Sequence, residues 1–371
     1  MEVRLAGTGG GPAGWPQPGC RCASCERSRT AGRRRAPAQV IVDGGLRIGP
    51  DGPSPAGAGY RVARVPGGWD VTGPDGTRLL AGEWRGAATP PGRDPAAPAS
   101  DTPEPDISGD YDIVLLDLLH DPAQLGALSR RGLVHAGTVV AVLHADHRVS
   151  SEEELARRCA YWGATVPHDG DALTAAPGGA PAGPATAART TPRRVLVLGG
   201  ARSGKSRHAE LRLAAEPRVT YLAAGPYPPG AQPADTDWAG RVAAHRARRP
   251  PWWQTVESVD AAAVLRAGSG AVLFDGAGTW LAAVLEEAGA WAGDAGSSAR
   301  VAAKVDELLE AWRQTPDRVV AVSDEVGSGV HPPTRAGRLF RDQLGWLNQR
   351  LAAEADETVL MVAGRALTLP A

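Results

Sequence analysis

The segment with the clearest chemical potential is residues 199–206, which read GGARSGKS. It satisfies the pattern G-x-x-x-x-G-K-[ST], in which glycines let successive backbone N–H groups point at phosphate oxygens. In such a loop Lys205 reaches the β- and γ-phosphates, and the Ser206 hydroxyl binds Mg²⁺. The alternative is a glycine-rich turn that matches by chance, but an apolar run before the loop and a helix-like stretch after it favour phosphate binding. The predicted loop residues are Gly199, Gly200, Ala201, Arg202, Ser203, Gly204, Lys205 and Ser206.

Acidic residues follow two later apolar runs. Asp275 ends AVLFD, and Asp324 and Glu325 follow RVVAVS. A carboxylate at the carboxyl end of a parallel strand is where phosphate-loop enzymes place their second magnesium-side acid, so Asp275 is a candidate Mg²⁺ ligand. The alternatives are an ordinary turn-forming aspartate at 275 and a charged loop at 324–325.

A histidine lies next to a group of arginines in the same half of the chain. His245 belongs to a helix-like stretch and is followed by Arg246, Arg248 and Arg249, and then by two tryptophans. One interpretation is a solvated helix residue. The other is a nucleophile toward phosphorus, with guanidinium groups binding the displaced phosphates. The tryptophans, at 252 and 253, either stack on a base or pack a helix against the sheet.

Three of the four cysteines, Cys20, Cys22 and Cys25, lie within six residues, and Cys159 stands apart. Such close spacing suggests a metal more than a disulfide framework. The alternative is three free thiols in a loop.

Composition bounds the function class. A chain of 371 residues is long enough for two domains, and its formal net charge of −1 gives no global field for nucleic acid or an anionic membrane. Apolar runs fall far short of the roughly 20 residues that a membrane span needs. The N-terminal residues MEVRLAGTGG contain no apolar signal core. We therefore expect a cytoplasmic protein with no nucleic-acid partner and no membrane span.

Two segments poor in large apolar residues divide the chain. Residues 171–192 are predicted to be a linker, and residues 86–109 a disordered insertion in the first half. Residues 1–170 contain short strand-like runs and only two helical patterns, at 122–131 and 151–162, so they predict a β-rich α/β domain. Residues 193–371 alternate strand and helix, which predicts a mostly parallel sheet with flanking helices. The predicted segments in this half are 194–198, 203–215, 218–223, 236–248, 271–275, 297–313, 318–322 and 334–354.

Several C-terminal motifs, taken in order, resemble one family. GGARSGKSRHAE, RVAAHRARRPPWWQTVE, VLFDGAGTWLAAVL and the segment from DEVGSGVHPPTRAGRLF onward are similar to the bifunctional adenosylcobinamide kinase / adenosylcobinamide-phosphate guanylyltransferase family. The resemblance covers residues 193–371. It implies a RecA-like phosphate-loop sheet, phosphorylation of adenosylcobinamide with ATP or GTP, and GMP transfer from GTP to give adenosylcobinamide-GDP. It also implies a homo-oligomer, a trimer.

The same resemblance assigns site residues. Because His245 follows Arg241 with the family's R-x-x-x-H spacing, it takes the position of the guanylylated histidine, with Lys205 as the other catalytic residue. Further nucleotide contacts are implied at Ala223, Ala224, Gly225, Arg249, Glu257 and Asp275. Two departures stand out. Asp324 occupies a position where the family usually has asparagine, and residues 224–238 are proline-rich where the family tends to be acidic and helical.

The N-terminal half resembles a second family. LAGTGGGPAGWPQPGCRCASC, DIVLLDLL and TVVAVLHADHRVSSEEELARRCAYWGA look like the beginning and end of the phosphodiesterase branch of the metallo-β-lactamase superfamily. That family's catalytic H-x-H-x-D-H motif is missing, because residues 45–110 contain no histidine. We therefore expect a degenerate domain without a dinuclear hydrolytic centre. The resemblance also implies a structural Zn²⁺ held by Cys20, Cys22, Cys25 and His147, a set suited to closed tetrahedral coordination.

Two alternative functions remain compatible with these residues. One is a generic phosphate-loop small-molecule kinase without nucleotidyl transfer. The other is a non-catalytic regulator that binds nucleotide.

Overall fold

The computed structural model describes residues 1–54, 57, 59–84, 109–175, 192–224, 249–268 and 270–370. These residues form two compact units, one within Met1–Arg189 and the other within Thr190–Ala371. Among the described residues, no helix has both the length and the apolar character needed to cross a membrane.

The N-terminal unit is a β-rich α/β structure. Its described elements, in chain order, are β1 (Glu2–Gly7), α1 (Ala23–Thr30), β2 (Gln39–Val42), β3 (Leu46–Gly49), β4 (Gly52–Pro53), β5 (Arg61–Val65), β6 (Gly68–Thr72), β7 (Arg78–Gly82), β8 (Ile113–Leu116), α2 (Ala123–Arg130), β9 (Val139–Val142), α3 (Glu152–Tyr161) and β10 (Ala172–Thr174). The predicted β-rich character of this half is confirmed, and the helical patterns predicted at 122–131 and 151–162 correspond to α2 and α3.

The strands of this unit make two five-stranded sheets. One has the order β10-β1-β2-β3-β4 and is antiparallel, and the other has the order β5-β6-β7-β8-β9, with β7, β8 and β9 parallel. Val3 and Leu5 of β1 are fully buried in the same apolar cluster as Ile113 and Leu115 of β8. The inner faces of the two sheets therefore share one apolar core, as in a sandwich.

Helix α1 is not predicted, because its sequence ASCERSRT has no apolar stripe. Polar contacts fix it instead. The Cys25 N–H donates to Cys22 Sγ over 3.5 Å, which caps the first turn. Arg29 Nη2 donates to the carbonyl oxygens of Gln17 and Cys20, each over 2.7 Å. These contacts arrange the cysteine segment around the start of the helix.

The predicted linker is wrong at its N-terminal end. Residues 172–174 form β10, which pairs with β1 so that Thr174 lies opposite Glu2, and Ala175 is buried. A strand of three residues is too short to show an alternation of apolar and polar residues in the sequence. It forms because the edge of β1 offers backbone hydrogen-bond partners. The N-terminal unit therefore extends past residue 170. Residues 176–191 of the predicted linker and 86–108 of the predicted insertion lie outside the described residues.

The C-terminal unit is a parallel α/β structure, as predicted. Its described elements are β11 (Arg194–Gly199), α4 (Lys205–Leu213), β12 (Val219–Ala223), β13 (Gln254–Glu257), α5 (Ala261–Arg266), β14 (Ala271–Asp275), α6 (Ala277–Glu287), α7 (Ser297–Gln314), β15 (Val319–Asp324), α8 (Arg335–Ala353), β16 (Glu357–Val362) and β17 (Arg365–Leu369). The predicted segments match these within two residues, except 236–248, which lies outside the described residues.

One seven-stranded sheet organises this unit, with the order β13-β12-β14-β15-β11-β16-β17. All neighbours are parallel except the β16–β17 hairpin. Helix α4 covers one face, where Ala209 and Leu213 pack on Val195 and Val197 of β11. Helices α5, α6, α7 and α8 contribute to the apolar cluster on the other face. Because the strands are parallel, their carboxyl ends line one edge of the sheet, and that edge bears the acidic residues.

Candidate functional site

The loop between β11 and α4 is held in a tight conformation by its glycines. Gly199 is buried, and a Cβ there would lie 2.4 Å from Ser203 Oγ and 2.9 Å from the Met361 carbonyl oxygen. Gly204 has a φ of 95°, in the left-handed region that favours glycine, and leads directly into α4. Helix α4 therefore begins inside the loop, and the partial positive charge of its N-terminus favours the binding of an anion there.

The β16–β17 turn supports the loop from one side. The Gly364 N–H donates to the Ser203 carbonyl over 2.9 Å. The Gly364 Cα also lies 3.5 Å from where a Cβ on Gly204 would stand. No pattern in the sequence indicates this contact, because it depends on the hairpin at the end of the sheet.

Three predicted site residues, Lys205, Ser206 and Asp275, meet Asp324 at the carboxyl edge of adjacent strands. The Lys205 Nζ lies 2.8 Å from Asp324 Oδ1 and donates to the Gly200 carbonyl over 3.3 Å. The Ser206 hydroxyl donates to Asp275 Oδ1 over 3.1 Å. The sheet order explains the meeting, since β15 lies between β11 and β14. The Lys205 ammonium and the Ser206 hydroxyl are thus each engaged by a carboxylate.

The donor set fits a hard divalent cation. The Ser206 hydroxyl and the Asp275 carboxylate are both oxygen donors, and Mg²⁺ is usually held by one or two such protein groups together with phosphates and water. Their separation of 3.1 Å lets both reach one ion.

Glu325, in contrast, is engaged within its own loop. Its Oε1 accepts from the Gly327 and Ser328 N–H groups over 2.8 and 3.2 Å, as in the charged-loop alternative. The neighbouring Asp324 is fixed through its backbone, because Asn348 Nδ2 donates to its carbonyl over 3.0 Å. Asn348 is itself held by the Ser323 hydroxyl over 2.6 Å. Helix α8 therefore positions the backbone from which Asp324 reaches Lys205.

Tyr221 is a site residue that the sequence analysis missed. Its hydroxyl donates to Asp275 Oδ2 over 2.7 Å. Burial, together with the nearby Asp275 carboxylate, raises the pKa of Tyr221, so its phenol is protonated at physiological pH. The Arg249 guanidinium lies 3.2 Å from the centre of the same ring. In the sequence, an aromatic residue within a strand is expected to belong to the apolar core. Only the pairing of β12 with β14 shows that Tyr221 also contacts Asp275.

The other predicted nucleotide contacts lie near the same edge. Ala223 ends β12, Ala224 is buried, and Glu257 is exposed at the end of β13 opposite Ala223. Trp253 is buried in the core on the α4 face, as in the packing alternative. His245, Gly225, Arg241, Arg246 and Arg248 lie outside the described residues.

A second cluster lies in the N-terminal unit. The ligand atoms of Cys20, Cys22, Cys25 and His147 all lie within 4.8 Å of one another. Tetrahedral zinc–thiolate geometry needs sulfur atoms about 3.8 Å apart, so a small contraction would close this set around one ion. The first-turn N–H of Cys25 lowers the pKa of Cys22, whereas burial raises the pKa of Cys25 to about 11. Cys159 is also buried and is a free thiol.

Sequence comparison gives a consistent result for the C-terminal unit. Residues 195–369 match the family described as cobinamide kinase / cobinamide phosphate guanyltransferase. The bifunctional adenosylcobalamin biosynthesis protein CobP of Pseudomonas aeruginosa is 39% identical over 182 residues, which are 47% of this chain and 96% of that protein. The bifunctional adenosylcobalamin biosynthesis protein CobU of Salmonella typhimurium is 37% identical over 180 residues, which are 46% of this chain and 96% of the CobU chain.

Solved structures align less closely. One of them is the assembled ATPase EscN from the enteropathogenic E. coli type III secretion system, with a TM-score of 0.29 and 12% sequence identity. The alignment covers 46% of this chain and 43% of the EscN chain.

Proposed function

Because this chain belongs to the cobinamide kinase / cobinamide phosphate guanyltransferase family, we propose that its C-terminal unit phosphorylates adenosylcobinamide and then attaches GMP to that phosphate. The chain is a kinase and nucleotidyltransferase of adenosylcobalamin biosynthesis. The observation that carries this function is the meeting of Lys205 and Ser206 with the strand-end carboxylates of Asp275 and Asp324. That arrangement suits a nucleoside triphosphate bound at the sheet edge.

The kinase step needs positioning and charge stabilisation more than covalent chemistry. The aminopropanol hydroxyl oxygen of adenosylcobinamide attacks the γ-phosphorus of ATP or GTP, the bond to the β–γ bridging oxygen breaks, and the nucleoside diphosphate leaves. The hydroxyl proton passes to solvent. Lys205 and the loop N–H groups bind the phosphate oxygens on which charge develops. Mg²⁺, when bound at Ser206 and Asp275, would neutralise further charge on the β- and γ-oxygens.

For the second step we assign His245 as the nucleophile, on its spacing from Arg241 and the family resemblance. A neutral imidazole nitrogen attacks the α-phosphorus of GTP, and pyrophosphate leaves. The phosphate of cobinamide phosphate then attacks the same phosphorus, which releases the imidazole and gives adenosylcobinamide-GDP. Imidazole suits this role because it is nucleophilic when neutral and a good leaving group when protonated. Arg249 lies four residues further on, with its guanidinium 3.2 Å from the ring centre of Tyr221.

We also propose a cytoplasmic location, where both nucleoside triphosphates are available, and a homo-oligomer, a trimer by family resemblance.

For the N-terminal unit we propose a metallo-β-lactamase-like domain that holds one structural Zn²⁺ and lacks a dinuclear hydrolytic centre. The proposal of a zinc site is supported by the close approach of four ligand atoms, from Cys20, Cys22, Cys25 and His147. Asp117, directly after β8, and Asp146, in the loop that follows β9, are both paired with one arginine, since Arg148 lies 2.9 Å from Asp117 and 2.8 Å from Asp146. Together with the absence of histidine from residues 45–110, this supports the lack of a catalytic metal pair among the described residues of the unit.

A product assay tests the proposed function. The full chain is incubated with adenosylcobinamide, Mg²⁺ and either GTP or ATP plus GTP, and we expect adenosylcobinamide phosphate followed by adenosylcobinamide-GDP. Lys205→Ala should abolish both products, whereas Lys304→Ala, on the exposed surface of α7, should not. Phosphorylation alone would support the generic kinase. Tight GTP binding without either product would support the non-catalytic regulator.

A further inference from the structure

Tyr221 occupies an unusual position for a tyrosine in a parallel sheet. Its side chain lies in the core on the α4 face, and the residue is only 7% exposed. In the pairing of β12 with β14 it stands opposite Leu273, two residues before Asp275. Since alternate strand residues share a face, Tyr221 and Asp275 lie on the same side of the sheet. The phenol hydroxyl can therefore reach the carboxylate at the strand end.

The two oxygens of Asp275 have separate donors. Oδ1 accepts from the Ser206 hydroxyl over 3.1 Å, and Oδ2 accepts from the Tyr221 hydroxyl over 2.7 Å. Two donors from two elements, α4 and β12, fix both the position and the plane of the carboxylate. Groups in the outer shell of a metal site commonly orient the ligands in this way.

The ring of Tyr221 makes a second connection. The Arg249 guanidinium lies 3.2 Å from the ring centre, and its Nη1 donates to the Thr255 hydroxyl over 3.4 Å. Arginine stacks well on aromatic faces because its planar cation is weakly hydrated. One side chain thus contacts both the magnesium-side carboxylate and an arginine that follows the proposed nucleophile segment.

We infer that Tyr221 is a positioning residue, whose hydroxyl orients Asp275 for the divalent cation and whose ring seats Arg249. The inference rests on the proposed nucleotide site, and it adds a residue that acts through Asp275 and touches neither substrate nor the reacting atoms. Removing the hydroxyl alone should therefore weaken the cation and leave the metal-free nucleotide contacts in place.

Tyr221→Phe tests this, because it keeps the ring and removes the donor. The full chain is titrated with Mn²⁺ in the presence of saturating GTP, and free Mn²⁺ is measured by electron paramagnetic resonance. We expect Mn²⁺ affinity to fall about tenfold or more, as for other outer-shell partners of metal sites. GTP affinity measured in EDTA should stay within about twofold of wild type, because the lost hydrogen bond does not touch the nucleotide.

Tyr60→Phe is the matched control. It also removes a phenol–carboxylate hydrogen bond, from Tyr60 to Asp43 over 2.5 Å, but in the N-terminal unit, so Mn²⁺ affinity should be unchanged. The Asp275→Asn variant serves as a second starting protein, into which Tyr221→Phe is introduced for comparison with wild type. If Tyr221 acts through Asp275, adding Tyr221→Phe to Asp275→Asn should cause no further loss of Mn²⁺ affinity, whatever each change does to stability.

The outcomes separate this inference from the proposed function. Wild-type Mn²⁺ affinity in Tyr221→Phe, or full additivity with Asp275→Asn, would overturn the positioning role while leaving the nucleotide site intact. If the wild-type chain itself binds neither GTP nor Mn²⁺–GTP, the proposed function fails first. Loss of GTP affinity in EDTA in Tyr221→Phe would also contradict the inference, because it would show a structural role in the loop.

Discussion

Replacing Gly199 with alanine tests whether the phosphate loop depends on close backbone packing at the end of β11. An added Cβ would stand 2.4 Å from Ser203 Oγ and 2.9 Å from the Met361 carbonyl oxygen. The serine hydroxyl can rotate away, but the carbonyl belongs to β16, which is paired with β11. Relief therefore requires the loop or the strand pair to move.

Overpacking of this kind typically costs about 1–3 kcal/mol. For a unit of this size such a loss lowers the melting temperature by roughly 2–4 °C per kcal/mol, so the C-terminal unit should melt about 2–12 °C earlier. The displaced loop should also weaken GTP binding at least tenfold, equivalent to roughly 1.4 kcal/mol.

Gly200→Ala is the matched control. A Cβ there meets nothing within 4 Å, and Gly200 is exposed, so stability should stay within about 0.5 kcal/mol of wild type. Calorimetric melting and fluorescent GTP titration measure both variants. A Gly199→Ala protein with wild-type melting temperature and GTP affinity would refute the packing argument.

Two further predictions follow from the ion pair and the cysteine cluster. In Asp324→Asn, GTP affinity measured by titration at low salt should rise about two- to fivefold. The reason is that the partly exposed Lys205–Asp324 ion pair, worth about 0.3–1 kcal/mol, no longer competes with the nucleotide for Lys205. Weaker GTP binding would mean that Asp324 helps to hold the nucleotide. The purified full chain should contain about one zinc per chain by elemental analysis, as one four-ligand site requires. Cys25→Ser should lose that zinc and Cys159→Ala should keep it; metal-free wild-type protein, or two or more zinc ions per chain, would contradict the proposal for the N-terminal unit.

The sequence was sufficient for the parts of the site that depend on local order. The phosphate-loop motif fixes where β11 ends and α4 begins, and Asp275 and Asp324 each end a readable apolar run. The parallel sheet then brings these ends to one edge.

Contacts that depend on strand order were not predictable in the same way. Tyr221 reaches Asp275 only because β12 lies beside β14, and Gly364 supports the loop only because β16 lies beside β11. Helix α6 was also missed. Its Ala277, Trp280 and Leu285 are buried against the sheet cluster, and its sequence AGTWLAAVLEE is too uniformly apolar to show a polar stripe.

The central claim, two reactions with a covalent guanylyl intermediate in one unit, is tested most directly by labelling. The full chain is incubated with α-³²P-GTP and Mg²⁺, denatured, and examined for retained label. We predict a label that is labile to acid and stable to base, as expected for a phosphoramidate, and that transfers to adenosylcobinamide phosphate when this is added before denaturation. His245→Ala should lose the label and the guanylyl transfer while retaining measurable kinase activity, and His331→Ala, an exposed residue paired with Arg341, should keep all three. An unlabelled wild-type chain that still forms adenosylcobinamide-GDP, or a His245→Ala chain that labels as wild type, would contradict the mechanism.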